Sequence, residues 1–378
     1  MLKIYLEGSE LKALIEKASC AMLKKVSMSI LGCVILKSEN RKLYASCTTM
    51  ESWLEVNTDY FTSVSDGKIA IDIEDFKVIT RMTGTVEITE AEENIIVKNG
   101  KKTITLHKYN VSDFPNTPTE ETAEKLRYTE ADLLETINNL SVFCDVNANN
   151  KMMNVINFNI EESRAEALDG NRIGLKRIED NQKLVTGGNI MLHIMACKDL
   201  KKALDKKSDR SVTISEGRKY ISITGKDFTY YQRKIEGAYF NIGQMLNFAG
   251  DYFFQADTKK MMDHIKYYTD NVIGKANKEP IILNIAEGKI TSYAHNTRFE
   301  VSDEMEIEDF LGKGLTIGFN SHYLVDALKI ADNDEISVKG CNPKSPIFIT
   351  AEKYSFLVLP VNIKPDVMEK YMEKVNAV

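Results

Sequence analysis

No stretch of this sequence stays apolar long enough to form a membrane-spanning helix. The first residues, MLKIYLEGSELKALIEKA, mix acids among apolar side chains and do not read as a signal peptide, so the cytoplasm is the expected compartment. None of the six cysteines (Cys20, Cys33, Cys47, Cys144, Cys197 and Cys341) forms a C-x-x-C pair, and their wide spacing suggests neither a disulfide framework nor a zinc site. Buried thiols in a reducing compartment are the expectation. A G-x-x-x-x-G-K-[ST] phosphate loop is missing, as are G-x-G-x-x-G, H-E-x-x-H and G-x-S-x-G. The five histidines, at 107, 193, 264, 295 and 322, are scattered one per element, whereas a catalytic histidine needs an oriented partner. No cofactor or metal is expected. Basic excess is lacking too: 49 basic against 55 acidic residues give a net charge of −6, which on totals argues against nucleic acid. Totals do not say where the charges sit.

At 43% apolar and 28% charged, the chain has the composition of a globular protein, and its 378 residues allow two or three domains. Three segments open alike: YLEGSELKALIEKASCAM from Tyr5, RYTEADLLETINNLSVFCD from Arg127 and FQADTKKMMDHIKYYTDNV from Phe254. Each is an extended run, a polar cap (Ser9, Thr129, Asp257) and an amphipathic helix. In the first, Leu11, Leu14, Ile15 and Ala18 form one apolar stripe. Strand-like runs follow each helix, and then the helix step recurs at IAIDIEDFKVITRMT, IMLHIMACKDLKKALDKK and LTIGFNSHYLVDALKIAD. Hairpins close each copy, and Asn99-Gly100 is a two-residue turn signal. The pattern predicts an α+β protein of three similar domains, 1–125, 126–249 and 250–378, each of two helix-plus-strands halves.

Two features invite a functional reading. The first is ALDGNRIGLKR, where Asp169, Asn171 and Arg172 look like a base, an amide and an anion clamp; the other reading is a turn shaping a surface. The second is basic spacing on helices. Lys198, Lys202 and Lys206 stand at i, i+4 and i+8, Lys77 and Arg81 repeat the i, i+4 step, and Lys24-Lys25 and Lys259-Lys260 add to it, whereas HYLVDALKI offers little more than Lys329. On equivalent helices these would make a basic stripe for phosphates on an acidic body. Acidic clusters at Asp72/Glu74/Asp75 and Asp332/Asp334/Glu335 leave a metal-dependent nuclease as an alternative, although both suit a helix start or a turn.

Together the repeats and four segments resemble the bacterial sliding clamp, the beta subunit of DNA polymerase III. The segments are SILGCVILKS (29–38), ALDGNRIGLKR (167–177), IGFNSHYLVDAL (317–328) and YSFLVLPVNI (354–363), and the resemblance spans essentially the whole chain. It implies a head-to-tail homodimeric ring, helices inside and sheets outside, that encircles duplex DNA without reading its sequence. Such a ring is not an enzyme; it tethers the polymerase and confers processivity by effective concentration. The implied partners are a second copy, double-stranded DNA, the polymerase III alpha subunit, the clamp loader and other proteins carrying short clamp-binding peptides, with no membrane. A clamp-like peptide-binding scaffold never loaded on DNA is the nearer alternative.

The resemblance places a peptide pocket at Met153, Leu168, Gly170, Asn171, Arg172, Ile173, Phe240, Gln244, Met245, Asn320, Tyr323, Leu357, Val358, Leu359, Pro360, Val361 and Asn362. Leu168, Asn171, Asn362 and the run GAYFNIGQML depart from the family pattern and imply a pocket more apolar and less cationic than usual. DNA contacts are expected at Lys25, Lys77, Arg81, Lys151, Lys198, Lys202 and Lys206, with Lys151-Met152 standing where some members carry a tyrosine pair. The ring seam would join Thr103, Ile104, Thr105 and Leu106 to a strand near Arg298 and Glu300, with Val272 and Ile273 adding apolar contact.

Overall fold

The fold is that of a computed structural model, described at residues 1–23, 26, 28–247, 250–274, 279–286 and 288–375. The α-helices among these residues are α1 (Gly8–Ala18), α2 (Ile73–Ile79), α3 (Glu130–Leu140), α4 (Ile194–Ala203), α5 (Gly243–Leu246), α6 (Thr258–Tyr268), α7 (Ser321–Ile330) and α8 (Pro365–Val375). One step recurs six times: a strand runs directly into a helix. Lys3–Glu7 leads into α1, Gly67–Asp72 into α2, Ala123–Thr129 into α3, Asn189–His193 into α4, Tyr252–Asp257 into α6 and Leu315–Phe319 into α7. This is the repeat that the sequence pattern predicts.

The local chemistry follows the expected caps with one exception. Thr129 Oγ1 accepts the Asp132 N–H at 3.1 Å and Asp257 Oδ1 accepts the Lys260 N–H at 2.7 Å. Ser9 is not a cap, because α1 begins one residue earlier, at Gly8. The Gly8 N–H is satisfied instead by the Gly84 carbonyl at 2.9 Å. A Cβ at Gly8 would lie 2.1 Å from the Met82 carbonyl oxygen, so only glycine allows this approach. The hairpin at Asn99-Gly100 forms one residue later than its signal: Asn99 pairs with Lys102, leaving Gly100 (φ +59°) and Lys101 as the loop.

Contacts divide the chain into two compact units: residues 1–138 with 179–237, and residues 139–178 with 238–378. The segment 126–249 contributes to both. In the first unit an eight-stranded antiparallel sheet runs in the order Ala123–Thr129, Ser211–Glu216, Tyr220–Thr224, Phe228–Arg233, Ser52–Thr58, Lys42–Thr48, Cys33–Glu39 and Gly67–Asp72. Strands from different repeats meet within it, with Tyr230 opposite Leu54. A five-stranded sheet ends at Lys102–His107. The predicted stripe of α1 (Leu11, Leu14, Ile15 and Ala18) is buried.

In the second unit, Val155–Asn159, Arg164–Leu168, Arg172–Arg177, Tyr354–Val358, Ile347–Thr350, Glu335–Gly340, Tyr252–Asp257 and Glu308–Gly312 follow one another across a sheet. Again two repeats meet in register, with Arg172 opposite Val358. A four-stranded sheet has the order Glu300–Glu306, Lys289–His295, Ile281–Ala286 and Leu315–Phe319. Its strands alternate faces. Ser292 bonds to His264 of α6 at 2.8 Å, while Tyr293 packs with Ile282 against Val367 and Tyr371 of α8. Helix α8 was not anticipated from the sequence. Its signals are Pro365 at the first helical position and the i, i+4 pair Val367/Tyr371.

Candidate functional site

The ALDGNRIGLKR segment is a hairpin turn. Leu168 pairs with Ile173 across it. Asp169 Oδ1 accepts the N–H groups of Asn171 (2.9 Å) and Arg172 (3.1 Å), the local bonding that aspartate favours in turns. Gly170 takes the positive φ, +87°, that closes the turn. Asp169 is thereby committed to the backbone and to Arg172, and is not placed as a catalytic base.

The turn forms one lip of a cavity of about 570 Å³, a size suited to peptide side chains. Leu168, Ile173, Leu175, Ile242 and Leu357 make its apolar base, with Met153, Tyr239, Phe240, Leu246 and Phe348 packed against them. Of the residues expected in the pocket, Met153, Leu168, Gly170, Arg172, Ile173, Phe240, Gln244, Met245, Leu357 and Leu359 line it. Met245 and Leu359 are its exposed apolar edges, 58% and 37% accessible.

The other expected residues do not line the cavity. The Asn171 carbonyl accepts the Leu359 N–H at 2.9 Å, which fixes the two lips together. Val358 is fully buried on the opposite face of its strand, as alternation requires. Asn320 caps α7 by accepting the His322 N–H at 3.1 Å, and Tyr323 lies 4.4 Å from the Arg172 guanidinium. Val361 donates to the Gly318 carbonyl at 2.9 Å; with Pro360 and Asn362 it carries the chain away toward α8. Asn241, Ile242, Cys341, Ser345 and Pro346 line the cavity and were missed. The run CNPKSP carries turn residues but no periodicity that would aim it at a pocket.

Arg172 is only 8% exposed. Its Nε donates to Asp169 Oδ2 at 3.0 Å, Nη1 to Asp326 Oδ2 at 2.7 Å and Nη2 to the Val142 carbonyl at 2.6 Å. The rings of Phe143 and Tyr323 lie 5.1 and 4.4 Å from the guanidinium carbon. Three of its five N–H groups are therefore engaged within the chain, and two carboxylates offset its charge.

The basic positions are partly as expected. Lys77, Arg81, Lys151, Lys198 and Lys202 are exposed, while Lys25 and Lys24 lie outside the described residues. Two stripes are shorter than helical spacing suggested. Helix α4 ends at Ala203 because Leu204 turns inward and the Asp205 N–H donates to the buried Glu130 carboxylate at 3.0 Å, so Lys206 sits in a turn beyond the helix. Helix α2 ends at Ile79, leaving Arg81 beyond it. Lys12, Lys77 and Arg81 nevertheless share a cleft of about 760 Å³ between α1 and α2, and Lys12 was missed. A comparable cleft between α6 and α7 holds Lys259 and Lys329. Within α4, Asp199 accepts from the Tyr230 hydroxyl at 3.0 Å, and burial pushes its carboxyl up to about 6.

The seam positions fall on two sheet ends. Lys102–His107, with Thr103, Ile104, Thr105 and Leu106, closes the five-stranded sheet, and Glu300–Glu306 closes the four-stranded one. Glu300 accepts from the Tyr293 hydroxyl at 2.9 Å, and Arg298 sits in the preceding turn, its N–H bonded to Asn296. Val272 and Ile273 are 3% and 5% exposed, so they pack inside this chain and offer little surface to another; Phe299, 47% exposed, offers more.

The acidic clusters have structural work. Asp72 caps α2 through the Glu74 N–H at 2.8 Å, and Asp332 accepts the Lys353 N–H at 3.1 Å. Among the described residues no group of three His, Cys, Asp or Glu side chains could hold a metal ion. No helix among them is long and apolar enough to cross a membrane.

Known proteins share this architecture. Residues 253–361 match the family model for the C-terminal domain of the DNA polymerase III beta subunit. A beta sliding clamp of Vibrio cholerae is 20% identical over 370 residues, covering 96% of this chain and 100% of that protein. One from Mycoplasma capricolum is 25% identical over 277 residues, 70% of this chain and 71% of that one. Among solved structures, a chain from Eubacterium rectale assigned as a DNA polymerase III beta subunit superposes with a TM-score of 0.90 at 28% identity, over 96% of this chain and 100% of that one. A Pseudomonas aeruginosa sliding clamp bound to griselimycin has the same fold, with a TM-score of 0.87 at 18% identity over 96% and 100%. The fold is therefore that of the DNA sliding clamps. By sequence and by fold the chain is a relative of the bacterial beta sliding clamps, as the repeats and the four segments imply.

Proposed function

We propose that this chain is a DNA sliding clamp. Two copies close head to tail around duplex DNA, and the ring tethers the polymerase III alpha subunit, the clamp loader and other DNA-processing proteins through short peptides. The observation that carries the reading is the strand-into-helix step repeated six times along a chain of which 96% matches a solved structure of this fold. The proposed domains are 1–125, 126–249 and 250–378.

The role needs no catalysis: topological linkage keeps the partner at high local concentration. Lys198 and Lys202 on α4, and Lys12, Lys77 and Arg81 in the cleft between α1 and α2, would meet phosphates, while the body stays acidic. The two terminal strands suit each other in charge. Lys102 begins one and Lys101 precedes it, while Glu300, Asp303 and Glu306 lie on the other; Lys108 and Glu304 are already paired within the chain, with Glu90 and Lys289. The apolar cavity beside the Asp169–Arg172 turn is the proposed peptide site, with Met153, Phe240, Met245, Leu357 and Leu359 as its walls. The cytoplasm suits six cysteines of which none is in a disulfide.

Light scattering at micromolar concentration should give a dimer, and a stable monomer refutes the ring. Retention on nicked circular duplex after loading, with loss when the circle is cut, is the functional test. A dimer that binds peptides but is never retained on the circle would assign a scaffold instead.

A further inference from the structure

We propose that Asn99 is a site of spontaneous deamidation, and that its conversion to a carboxylate unclasps the tip of the hairpin formed by Asn94–Asn99 and Lys102–His107 from residues 83–85. Asn99 is the only asparagine of the chain followed by glycine. Glycine has no side chain to shield its backbone nitrogen from the side chain before it. Gly100 is exposed at the hairpin tip, and a Cβ there would meet nothing within 4 Å. The chemistry balances with water as the sole co-reactant. The Gly100 nitrogen attacks Asn99 Cγ. An N–Cγ bond forms, the Cγ–Nδ2 bond breaks, and Nδ2 leaves as ammonia with the proton that Gly100 gives up. Water then opens the cyclic imide at either carbonyl, leaving aspartate or, where the chain continues through Cγ, isoaspartate.

The amide that is lost holds the hairpin to its sheet. Asn94–Asn99 pairs with Thr85–Glu90, and the last pair toward the tip joins Glu87 to Lys98. Beyond that pair the Asn99 side chain takes over from the backbone ladder. Its Nδ2 donates to the Thr83 carbonyl at 2.9 Å and to the Thr85 carbonyl at 3.0 Å. An ionised carboxylate has no hydrogen to give. Negative oxygen would face two carbonyl oxygens, so both bonds are lost and repulsion replaces them. Isoaspartate also adds a carbon to the backbone at the turn that sets the hairpin register. The residues released have other roles. Gly84, between the two acceptors, takes the Gly8 N–H that begins α1, at 2.9 Å. Thr83 and Gly84 line the basic cleft with Lys12, Lys77 and Arg81. The other strand of the hairpin, Lys102–His107, ends its sheet. A single chemical event at the tip therefore loosens one wall of the cleft and the start of a terminal strand.

The test uses the full chain, aged in mildly alkaline buffer and sampled over weeks by peptide mass mapping. The peptide holding Asn99 should gain the mass difference between OH and NH2 ahead of every other asparagine peptide, and an isoaspartyl methyltransferase should label it. Asn99→Gln should abolish both signals there, since glutamine would have to close a larger ring. Hydrogen exchange then compares the fresh chain, the aged chain and Asn99→Asp. Residues 83–85 and 98–104 should exchange at least about threefold faster in the aged chain and in the variant, with the eight-stranded sheet unchanged. A thermal melt checks that Asn99→Asp is folded; if it is not, the aged chain carries the comparison. An Asn99 peptide that stays intact while other asparagines convert overturns the proposal, and so does conversion that leaves exchange at the tip unchanged.

Discussion

Replacing Arg172 with alanine should destabilise the unit that holds it by about 3 kcal/mol. Breaking a buried ion pair by removing one partner costs about 3–5 kcal/mol, because the other charge is left buried. Here the limbs are unequal. Asp169 is 12% exposed and loses its partner in a poorly solvated setting, whereas Asp326, at 35%, recovers water and contributes little. The Val142 carbonyl also loses a charge-assisted bond of 2.6 Å, worth about 1.5–3 kcal/mol in isolation. These terms share one side chain and do not add in full. The unit contains about 180 residues, for which each kcal/mol moves the midpoint by about 2–4 °C, so the expected fall is about 6–12 °C. Differential scanning calorimetry reads it, with Arg172→Lys as a control that keeps the charge and loses the planar fork. The lysine variant should fall between the native chain and the alanine variant. A shift under about 2 °C for Arg172→Ala would show that the guanidinium is not the tie inferred from its contacts.

Asp199 gives a pH prediction. Its folded carboxyl lies at about 6, above the ordinary value near 3.8, so the native state holds the proton more tightly. That contribution is complete below pH 4 and is lost as pH rises through 6, so Asp199→Asn should gain on the order of 2 kcal/mol over the native chain at pH 7.5 but not at pH 4, read from melts across that range. Ile104→Asp places an anion on the terminal strand whose proposed mate is acidic, and light scattering should show the dimer falling to monomer. Lys198→Ala with Lys202→Ala should shorten residence on circular duplex and flatten its salt dependence by up to about 1 per lysine, while Lys206→Ala, beyond the helix, should do less.

The repeat was legible because each helix announces itself twice, by a 3.6-residue apolar period and, for most, by a polar cap. The turn at Asp169–Gly170 was legible for the same local reason. What escaped was set from a distance. The partner that balances Arg172 lies 154 residues away in α7, and no local pattern links them. The end of α4 follows from a bond to Glu130, 75 residues earlier, where helix propensity alone would continue through Asp205 and Lys206. The 341–346 lip is placed by the strands on either side of it, Glu335–Gly340 and Ile347–Thr350, rather than by its own residues. The resemblance places Val272 and Ile273 at a seam, but the fold already uses their apolar character within the chain.

In the proposed ring, the two terminal strands, Lys102–His107 and Glu300–Glu306, would make each chain what a polymer chemist calls a difunctional monomer with unlike ends. Such a monomer condenses either into a closed cycle or into an open fibre, and the contact is the same in both. The angle between successive joints alone decides which one forms. A substitution far from either strand that changed that angle would leave every joint intact and still convert a ring into a filament.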